Sequence, residues 1–369
     1  MGRLSNNIFL IAGEKSGDLY GGELIEKMLK VDSKLQINFW GGNCMHKAGG
    51  NLLQHYKHYN FMGLDEVLLN LVTLKKKLNL CKSHILTYKP KVIILIDFPG
   101  FNLRMAKFSK NRGIKVIYFI PPKVWAWNNK RILKLKKYVD YTFSILPFEV
   151  EYYKKYDVKI FYFGNPLVSI IKKYNFIEIK NDFKYDNIIS LLPGSRFSEI
   201  SYSISVFKKI INSMPKSLFY VGTVSNVPNS VYSPIESFPN VRFFVDRTYD
   251  VVRASKVSVV VSGTATLEVA LLNVPQIVVY KTSFISYLFA KMVLRIKYIS
   301  LVNLILNKLV VKEFIQGNFN HLLVAKEMNK ILNNKAYVNQ IKNGYKKIKN
   351  LLGNENVISK ITEHIINVI

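Results

Sequence analysis

The stretch IFLIAGEKSGDLYGG, from Ile8 to Gly22, joins a short apolar run to a loop crowded with polar side chains. The run from Ile8 to Ile11 has the length and composition of a buried strand. Glu14, Ser16 and Asp18 follow it, whereas a simple turn needs little more than a glycine and an asparagine. The loop therefore either approaches a ligand or carries charges that are merely solvated.

Short apolar runs of the same kind recur along the chain, and helical stretches separate them. Strands that alternate with helices in this way are typical of parallel sheets covered on both faces. The predicted strands are Ile8 to Ile11, Ile37 to Trp40, Val92 to Ile96, Val116 to Ile120, Tyr141 to Ile145, Ile160 to Phe163, Ile188 to Leu192, Leu218 to Val221, Val241 to Val245, Val257 to Val261 and Gln276 to Val279. The predicted fold class is therefore α/β, with two doubly wound, Rossmann-like halves of similar size.

The chain is long enough for two domains, since 369 residues exceed the usual size of one hydrophobic core. A polar stretch, Lys172 to Asn187, separates the two sets of predicted strands. We predict an N-terminal domain over residues 1–170, a linker over 171–187 and a second domain over 188–340. The helical segment 341–369 is expected to pack back on the N-terminal domain or on a partner.

Cysteine content and hydropathy favour a cytoplasmic protein. Cys44 and Cys81 are too few for a disulfide framework, and the first apolar run is too short for a signal peptide. The most apolar region, Phe284 to Val311, is interrupted by basic residues, whereas a membrane helix needs about 20 largely uncharged residues. We expect this region to touch a membrane rather than to cross one.

The chain is strongly basic, with 53 Lys and Arg against 24 Asp and Glu and a formal net charge of +29. An anionic partner is therefore expected. Basic and apolar residues mix in three stretches, Val67 to Leu80, Lys130 to Val139 and Phe284 to Lys297. Each is either a helix that lies on anionic lipid or an ordinary amphipathic helix. No nucleic-acid partner is expected, because no familiar nucleic-acid motif is present.

A carboxylate stands at the end of another apolar strand. Asp97 directly follows Val92 to Ile96, and Pro99 and Gly100 then turn the chain. Ligands of open parallel sheets bind beyond the carboxyl ends of the strands. A partly desolvated carboxylate at this place has a raised pKa, which suits a general base. The alternative is an aspartate that caps the following helix.

Two loops of the second half have the composition of phosphate sites. Their residues are Pro193, Gly194, Ser195 and Arg196 in the first, and Ser262, Gly263, Thr264, Thr266 and Glu268 in the second. Backbone N–H groups, hydroxyls and a guanidinium at a helix N-terminus can bind phosphate, and a carboxylate can bind ribose hydroxyls. In the alternative, the serines and threonines only cap helices and Arg196 is a surface residue.

Six motifs occur in order along the chain, namely AGEKSGD, IDFPGFN, VWAW (Val124 to Trp127), LLPGSR, SGTATLE and YISLVNLI (Tyr298 to Ile305). Together they resemble the lipid-A-disaccharide synthases, which are glycosyltransferases of lipopolysaccharide biosynthesis in Gram-negative bacteria. The resemblance covers nearly the whole chain, from Ile8 to about Gln316. Each motif alone is weak, whereas six in this order are highly specific.

The resemblance implies a GT-B type glycosyltransferase, with two domains facing a cleft and the nucleotide sugar on the C-terminal domain. It implies transfer of 2,3-diacylglucosamine from UDP-2,3-diacylglucosamine to 2,3-diacylglucosamine 1-phosphate (lipid X), with inversion and release of UDP. The product is the β(1→6) disaccharide 1-phosphate. No metal or other cofactor is expected. The enzyme is expected to associate peripherally with the anionic inner membrane and to form a homodimer.

The resemblance also implies roles for individual residues. Asp97 is the expected base, Glu14 lines the acceptor side, and Arg196 offsets charge on the departing UDP. Asn303 is expected to act through sugar hydroxyls or phosphate. The expected UDP-binding residues are Gly194, Ser195, Arg196, Ser262, Gly263, Thr264, Thr266 and Glu268. The expected acceptor-side residues are Ser16, Gly17, Asp18, Trp125 and Trp127, although the two tryptophans are equally explained by core packing.

Several positions depart from the pattern of the family. Gly100 stands where a second aspartate is common, so Asp97 acts alone or with Glu14. The other departures are Pro121 and Lys123 for serines, Asn128 for an arginine, Asn165 for a histidine and Val302 for a proline. These differences concern acceptor binding more than the reaction.

Two other functions compete with this one. A related two-domain UDP-sugar enzyme, such as a peptidoglycan glycosyltransferase or a UDP-GlcNAc 2-epimerase, shares the architecture, but is not expected to carry GEKSGD and VWAW together. A non-catalytic basic module that binds membrane or nucleic acid would share the charge. It would hardly retain Glu14, Asp97, Arg196, Glu268 and Asn303 together.

Overall fold

The computed structural model describes residues 7–58, 71–126, 129–179, 184–294, 296–353 and 356–368. The chain forms two compact units. Unit 1 contains Met1–Pro166 and Leu352–Ile369, and unit 2 contains Leu167–Leu351. Unit 1 is therefore discontinuous in sequence, because the chain returns to it after completing unit 2.

Each unit is built on one parallel sheet. In unit 1 the strands lie in the order β3-β2-β1-β4-β5-β6-β7, and in unit 2 in the order β10-β9-β8-β11-β12-β13. The strands of unit 1 are β1 (Asn7–Ala12), β2 (Gln36–Gly41), β3 (Asn51–His55), β4 (Val92–Ile96), β5 (Lys115–Phe119), β6 (Tyr141–Ser144) and β7 (Ile160–Tyr162). The strands of unit 2 are β8 (Asn187–Leu192), β9 (Ser217–Thr223), β10 (Val241–Val245), β11 (Val257–Val261), β12 (Gln276–Tyr280) and β13 (Glu313–Ile315). The predicted α/β fold with two doubly wound sheets is confirmed.

Helices connect the strands. In chain order they are α1 (Lys15–Val31), α2 (Asn43–Lys47), α3 (Leu71–Tyr88), α4 (Pro99–Lys110), α5 (Lys130–Tyr138), α6 (Glu149–Lys154), α7 (Leu167–Lys173), α8 (Phe197–Ser213), α9 (Ser233–Glu236), α10 (Thr248–Arg253), α11 (Ala265–Leu271), α12 (Phe284–Val293), α13 (Leu301–Leu306), α14 (His321–Asn333), α15 (Lys335–Leu352) and α16 (Val357–Val368). Residues 67–70 of the basic stretch predicted over Val67 to Leu80 lie outside the described residues, and its remainder forms the start of α3.

The central strands form the two cores. Every residue of β4 and of β11 is buried, which explains why both read as apolar runs, interrupted only by the buried Ser258 of β11. The eleven predicted strands are all present, whereas β3 and β13 were not predicted. Both are short edge strands without a buried residue, so neither carries the apolar run that marks a strand in sequence.

The C-terminal segment completes unit 1. The Asn165 N–H donates to the Leu352 carbonyl (2.8 Å), and helix α16 then packs on α1. A side chain at Gly164 would lie 2.6 Å from the Leu352 carbonyl oxygen, so the two backbones approach as closely as glycine allows. Asn165 is buried and its amide donates to the Ile145 carbonyl (3.1 Å). Asn165, which stands where the family has a histidine, therefore stabilises the contact between the C-terminal segment and the rest of unit 1.

The first part of the predicted linker is packed on unit 2. The Asp250 carboxylate is buried and accepts hydrogen bonds from the Tyr174 hydroxyl (3.1 Å) and the Ile177 N–H (2.9 Å). Arg247 also donates to Asp250 (2.9 Å). The N-terminal domain was predicted to end at residue 170, which lies within α7, and the structure assigns all of α7 to unit 2.

The strand order reverses at one place in each sheet. In unit 1 this topological switch point lies between β1 and β4, and in unit 2 it lies between β8 and β11. Ala12 pairs with Ile96 in the first sheet, and Leu192 pairs with Val260 in the second. The loops that leave these four strands therefore start side by side within each unit, where open α/β sheets bind their ligands.

Candidate active site

Asp97 follows β4 at the switch point of unit 1, in a backbone conformation that is rare for a residue with a side chain. Its φ angle is 47° and that of Phe98 is 48°. Strain of this kind is found at functional sites when the surroundings hold it in place. The residue at the helix cap position is Phe98, which makes no side-chain cap bond. Asp97 therefore does not occupy the cap position, which was the alternative reading of its sequence context.

The carboxyl groups of Asp97 and Glu14 interact across the two loops of this switch point. Asp97 keeps some accessible surface, but its carboxyl group is enclosed by protein atoms. This desolvation raises the pKa of Asp97 to about 7, and the charge of Glu14 acts in the same direction. Lys123 acts in the opposite direction and lowers this pKa. A carboxyl group that loses its proton near neutral pH can serve as a general base.

The opening loop brings Glu14 and Ser16 together. Both are half-buried, and the Ser16 hydroxyl donates to the Glu14 carboxylate (3.1 Å). Glu14 lies at the cap position of α1 but makes no side-chain cap bond. Its carboxylate instead interacts with Ser16 and Asp97, beyond the carboxyl ends of β1 and β4.

Asp18 and Gly17, which were predicted on the acceptor side, belong to the framework of the loop. The Asp18 carboxylate is buried and accepts the N–H groups of Gly42 (2.8 Å), Cys44 (3.0 Å) and Met45 (3.1 Å) at the start of α2. Gly17 is buried, and a side chain there would press on the end of β1. The structure therefore gives no support for a direct acceptor contact from the Asp18 carboxylate.

Trp125 is fixed by a buried carboxylate that the sequence did not reveal. Its indole N–H donates to Glu149 Oε1 (2.8 Å), and its ring meets Phe148 edge to face at 4.9 Å. Desolvation raises the pKa of Glu149 to about 7, although hydrogen bonds from Ser144 and Trp125 lower it. Trp125 is half-buried, so its side chain packs against protein and also keeps some surface exposed to solvent. Trp127 and Asn128 lie outside the described residues.

The loop after β8 surrounds the carboxylate of Glu199, one turn into α8. Glu199 accepts hydrogen bonds from the Ser195 N–H (3.2 Å) and from Arg196 (3.0 Å). Gly194 has a φ of 112°, which only glycine adopts readily. Arg196 occupies the cap position and its side chain is 44% exposed. The alternative in which a serine caps this helix is therefore not observed, and the guanidinium lies at the surface of the loop.

The loop after β11 uses its hydroxyls to hold the chain around residues 299–301. Ser262 donates to the Ile299 carbonyl (2.9 Å), and Thr266 donates to the Gly263 carbonyl (2.8 Å) while accepting from the Leu301 N–H (3.3 Å). Gly263 is exposed, with open space where a side chain would stand, and Thr264 is the cap residue before helix α11. A ligand at this loop would therefore meet the exposed backbone of Gly263 and the half-buried Thr264.

Glu268 lies one turn into α11 and is half-buried. The Tyr249 hydroxyl donates to its carboxylate (2.9 Å), and the Tyr249 ring contacts Tyr174 edge to face at 5.0 Å. A carboxylate has several acceptor positions, so Glu268 can accept more than one hydrogen bond.

Asn303 is buried, and its amide is fully occupied by protein. The amide nitrogen donates to the Val311 carbonyl (2.8 Å) and to Glu313 (2.8 Å), while the oxygen accepts the N–H groups of Val310 (2.8 Å) and Val311 (3.0 Å). An asparagine has two donor and two acceptor positions, so none remains. The Asn303 amide therefore stabilises the surrounding backbone, and the structure does not support the predicted contact with sugar or phosphate.

Glu313 completes this framework. Its carboxylate accepts hydrogen bonds from the N–H groups of Ile299 (2.9 Å) and Ser300 (3.0 Å) and from the Ser300 hydroxyl (2.7 Å). The chain near residue 300 is thus tied to Glu313 on one side and to the loop after β11 on the other. Sequence reasoning missed Glu313 because it lies on an unpredicted edge strand.

Neither a metal cluster nor the second family aspartate is present among the residues described. No group of three His, Cys, Asp or Glu side chains there lies close enough to hold a metal ion. Gly100 is exposed in the first turn of α4, and no atom lies within 4 Å of the place where its side chain would begin. The position can therefore accommodate a larger residue without a steric conflict.

Comparison with known proteins places the chain in a family. A model of the lipid-A-disaccharide synthetase family matches residues 8–367. Lipid-A-disaccharide synthase 1 of Legionella pneumophila (strain Lens) is 34% identical over 363 residues, which cover 94% of this chain and 94% of that protein.

Solved structures show the same fold at much lower sequence identity. The UDP-GlcNAc 2-epimerase of Neisseria meningitidis, bound to UDP-GlcNAc, has a TM-score of 0.68 at 12% identity over 98% of this chain and all of that one. The glycotransferase of kitacinnamycin has a TM-score of 0.63 at 11% identity over 97% of this chain and 98% of that one. These likenesses establish the GT-B type fold, whereas the family match extends over nearly every residue, and the chain therefore belongs to the lipid-A-disaccharide synthetase family.

Proposed function

We propose that this enzyme transfers 2,3-diacylglucosamine from UDP-2,3-diacylglucosamine to lipid X, and forms the β(1→6) disaccharide 1-phosphate and UDP with inversion at the anomeric carbon. Membership of the family supports a glycosyltransferase that makes the lipid A disaccharide. The observation that carries the proposal is the pair of carboxyl groups of Glu14 and Asp97 at the switch point of unit 1, where desolvation raises the pKa of Asp97 to about 7.

In this mechanism Asp97 is the general base. Its carboxylate takes the proton from the acceptor hydroxyl as the hydroxyl oxygen attacks the anomeric carbon of the donor. The bond from that carbon to the diphosphate oxygen breaks on the opposite face, and UDP leaves with the electron pair. Glu14 keeps the pKa of Asp97 high enough for proton transfer near pH 7, and Ser16 orients Glu14.

The switch point of unit 2 binds the donor in this proposal. Arg196 lies at the surface of the loop after β8, where its charge can offset the negative charge that develops on the leaving diphosphate. Gly263 leaves room for phosphate to approach the backbone of the loop after β11. Glu268, held by Tyr249, accepts hydrogen bonds from the ribose hydroxyls.

The first experiment measures disaccharide formation from UDP-2,3-diacylglucosamine and lipid X in mixed micelles, with a chelator present. The wild type is expected to form the product, and Asp97→Asn is expected to lose about 10²–10⁴-fold in rate while still binding UDP. Gly100→Asp is the matched control for a change in charge beside the same loop, because its new carboxylate has room there. Product formation by Asp97→Asn at the wild-type rate would remove Asp97 from the mechanism.

Acyl substrates require an enzyme that can bind the membrane surface, and the exposed helix α12 has the properties of a membrane-binding surface. None of the residues of α12, all of which the structure describes, is buried; Ile285 is 81% exposed and Met292 is 85% exposed. The sequence contains no acidic residue between Glu268 and Glu313. Within the part of the chain that the structure describes, no helix is both long and apolar enough to cross a membrane. We infer that α12 lies on the anionic inner leaflet, with the enzyme peripheral on its cytoplasmic side.

Vesicle binding tests this docking surface. Ile285→Glu is expected to weaken binding to phosphatidylglycerol–phosphatidylethanolamine vesicles by roughly tenfold or more, because the variant replaces an inserted apolar side chain with a like charge. Leu322→Glu is the control, since Leu322 is 68% exposed on a different helix. Unchanged binding by Ile285→Glu, with loss on charge reversal of Lys75, would move the docking surface to α3.

The homodimer that the family resemblance implies is tested separately, by sedimentation of the protein without vesicles.

A further inference from the structure

The strained turn at Asp97 is held through its own peptide group. The Asp97 N–H donates to the Phe119 carbonyl at the end of β5 (3.0 Å). The Asp97 carbonyl accepts two side-chain hydrogen bonds, from the Tyr118 hydroxyl (2.7 Å) and from the Asn102 amide (2.8 Å). A left-handed residue with a side chain persists only where several such contacts determine it together.

Both donors lie in the interior of unit 1. Tyr118 belongs to β5 and Asn102 to the first turns of α4, and neither has measurable exposed surface. A buried hydroxyl or amide is retained where it pairs with another polar group, since burying it alone is unfavourable. Their shared partner here is a single backbone carbonyl, that of Asp97.

Asn102 also joins the two strands of the switch point. Its amide nitrogen lies 3.2 Å from the Ile96 carbonyl on β4 and 3.5 Å from the Ile11 carbonyl on β1. β1 leads directly into the loop that carries Glu14, so one buried amide contacts both strands from which the two carboxylates extend. Phe98 adds a steric restraint, because its ring fills the space beside Gly13, where an added side chain would lie 2.2 Å from it.

We infer that Asn102 and Tyr118 are positioning residues for Asp97, which hold its peptide in the left-handed turn and thereby set the position of its carboxyl group relative to Glu14 and the acceptor hydroxyl. This inference rests on the proposed role of Asp97 as base. Neither residue touches the reacting atoms. Their effect on the rate comes from the placement of Asp97, and a displacement of about 1 Å can lower a rate on the order of 10²-fold.

Tyr118→Phe is the decisive variant, because it removes one hydroxyl and keeps the ring that packs in the core. We expect kcat to fall between tenfold and 10²-fold with KM for both substrates unchanged. Asn102→Ser is the second variant and is expected to act in the same direction. Tyr153→Phe is the matched control, since Tyr153 is also buried in unit 1 and its hydroxyl also donates to a backbone carbonyl, that of Pro122.

The second readout is the titration of Asp97 itself, followed by NMR of protein labelled with ¹³C in its aspartate carboxyl groups. Glu14 and Lys123 are the charged groups that act on Asp97, and Tyr118 is the neighbouring phenol. Release of the turn moves the Asp97 carboxyl away from Glu14 and from its enclosure, so its pKa in Tyr118→Phe is expected to fall toward the ordinary carboxyl range. Tyr153→Phe is expected to leave it unchanged.

These results separate the positioning role from the proposed function. If Tyr118→Phe lowers only the melting temperature, with kcat and the Asp97 titration as in Tyr153→Phe, the positioning role is wrong although Asp97 remains the base. If Asp97→Asn is fully active, the base assignment is wrong. The Asp97 titration in Tyr118→Phe then still decides whether the turn is held as described.

Discussion

The carboxyl edges of the two sheets have the same topology and opposite chemistry. In each unit the strand order reverses once, and two loops start side by side at that place. In unit 1 these loops carry Glu14 and Asp97, and burial together with the charge of Glu14 raises the pKa of Asp97. In unit 2 they carry Arg196 and an open glycine, Gly263. The fold therefore supplies the same place in both units, while the loop sequences supply a pair of carboxyl groups in one and a guanidinium beside an open glycine in the other.

The two edges also differ in how their polar side chains are used. In unit 1 the interior polar groups, such as Tyr118, hold a backbone turn and leave the carboxyl groups at the edge. In unit 2 the hydroxyls of Ser262 and Thr266 and the amide of Asn303 are taken up by the framework around residue 300. In both units polar side chains near these loops stabilise the backbone, so a polar residue in such a motif is not by itself evidence of a ligand contact.

The largest effect is expected from Asn303→Leu, which tests the stabilising role of the Asn303 hydrogen bonds in unit 2. The change leaves the N–H groups of Val310 and Val311 unpaired in the interior and removes a partner of Glu313. We expect the free energy of unfolding to fall by about 3–5 kcal/mol, measured by urea denaturation. Asn333→Ala, at an exposed asparagine of α14, should change it by less than about 0.5 kcal/mol. Normal stability with lost activity would instead restore a direct substrate contact for Asn303.

Arg196→Met tests whether the two edges work separately. Loss of the guanidinium should lower kcat/KM about 10²–10³-fold, because charge on the leaving UDP is no longer offset. The acidic limb of the pH–rate profile should stay in place, since Glu14 and Lys123 rather than Arg196 act on Asp97. Arg242→Met, on an edge strand of the same unit, is the control and should leave the rate unchanged. A displaced acidic limb in Arg196→Met would contradict the separation.

A pair of glycine variants compares the loops that follow β8 and β11. Gly194→Ala forces an alanine to a φ of 112° with its Cβ 2.6 Å from the Glu199 carboxylate, so we expect a loss of about 1–3 kcal/mol in unfolding free energy. Gly263→Ala meets no atom within 4 Å and should change stability by less than about 0.5 kcal/mol. Its methyl group should nevertheless weaken UDP binding, measured by calorimetry. Full affinity in Gly263→Ala would place the phosphates elsewhere.

The smallest effects are opposite shifts in pH dependence within unit 1. The negative charge of Glu14 makes ionisation of Asp97 harder, so Glu14→Gln should move the acidic limb of kcat/KM to lower pH. The positive charge of Lys123 makes it easier, so Lys123→Met should move the limb to higher pH. The wild-type limb should lie near pH 7. Shifts of the same sign in both variants would show that the limb does not report Asp97.

Sequence patterns were sufficient where burial is complete. β4 and β11 begin and end at the predicted residues because β4 is apolar throughout and β11 is apolar except for Ser258. Asp97 stood out because it is a carboxylate directly after such a strand, where partial desolvation is expected to raise its pKa. The edge strands β3 and β13 gave no comparable pattern, since they are only partly covered and carry polar residues.

The supporting polar groups were harder to predict. Glu149, Tyr118 and Glu313 lie far in sequence from the loops they hold, so no spacing connects them. Asn102 had a local signal, because it falls on the buried face of α4 together with Phe101 and Met105. Asn303 shows the opposite case, since its motif pointed to substrate and its four hydrogen bonds point to the framework.

The return of the chain to unit 1 has a consequence for synthesis on the ribosome. Helix α16 packs against α1, the first helix of the chain, and both belong to unit 1. Unit 2 is contiguous and ends before α16, so all of it can emerge and fold while unit 1 still lacks its last helix. Glu14 and Asp97 are translated early, but the unit that holds them is completed last.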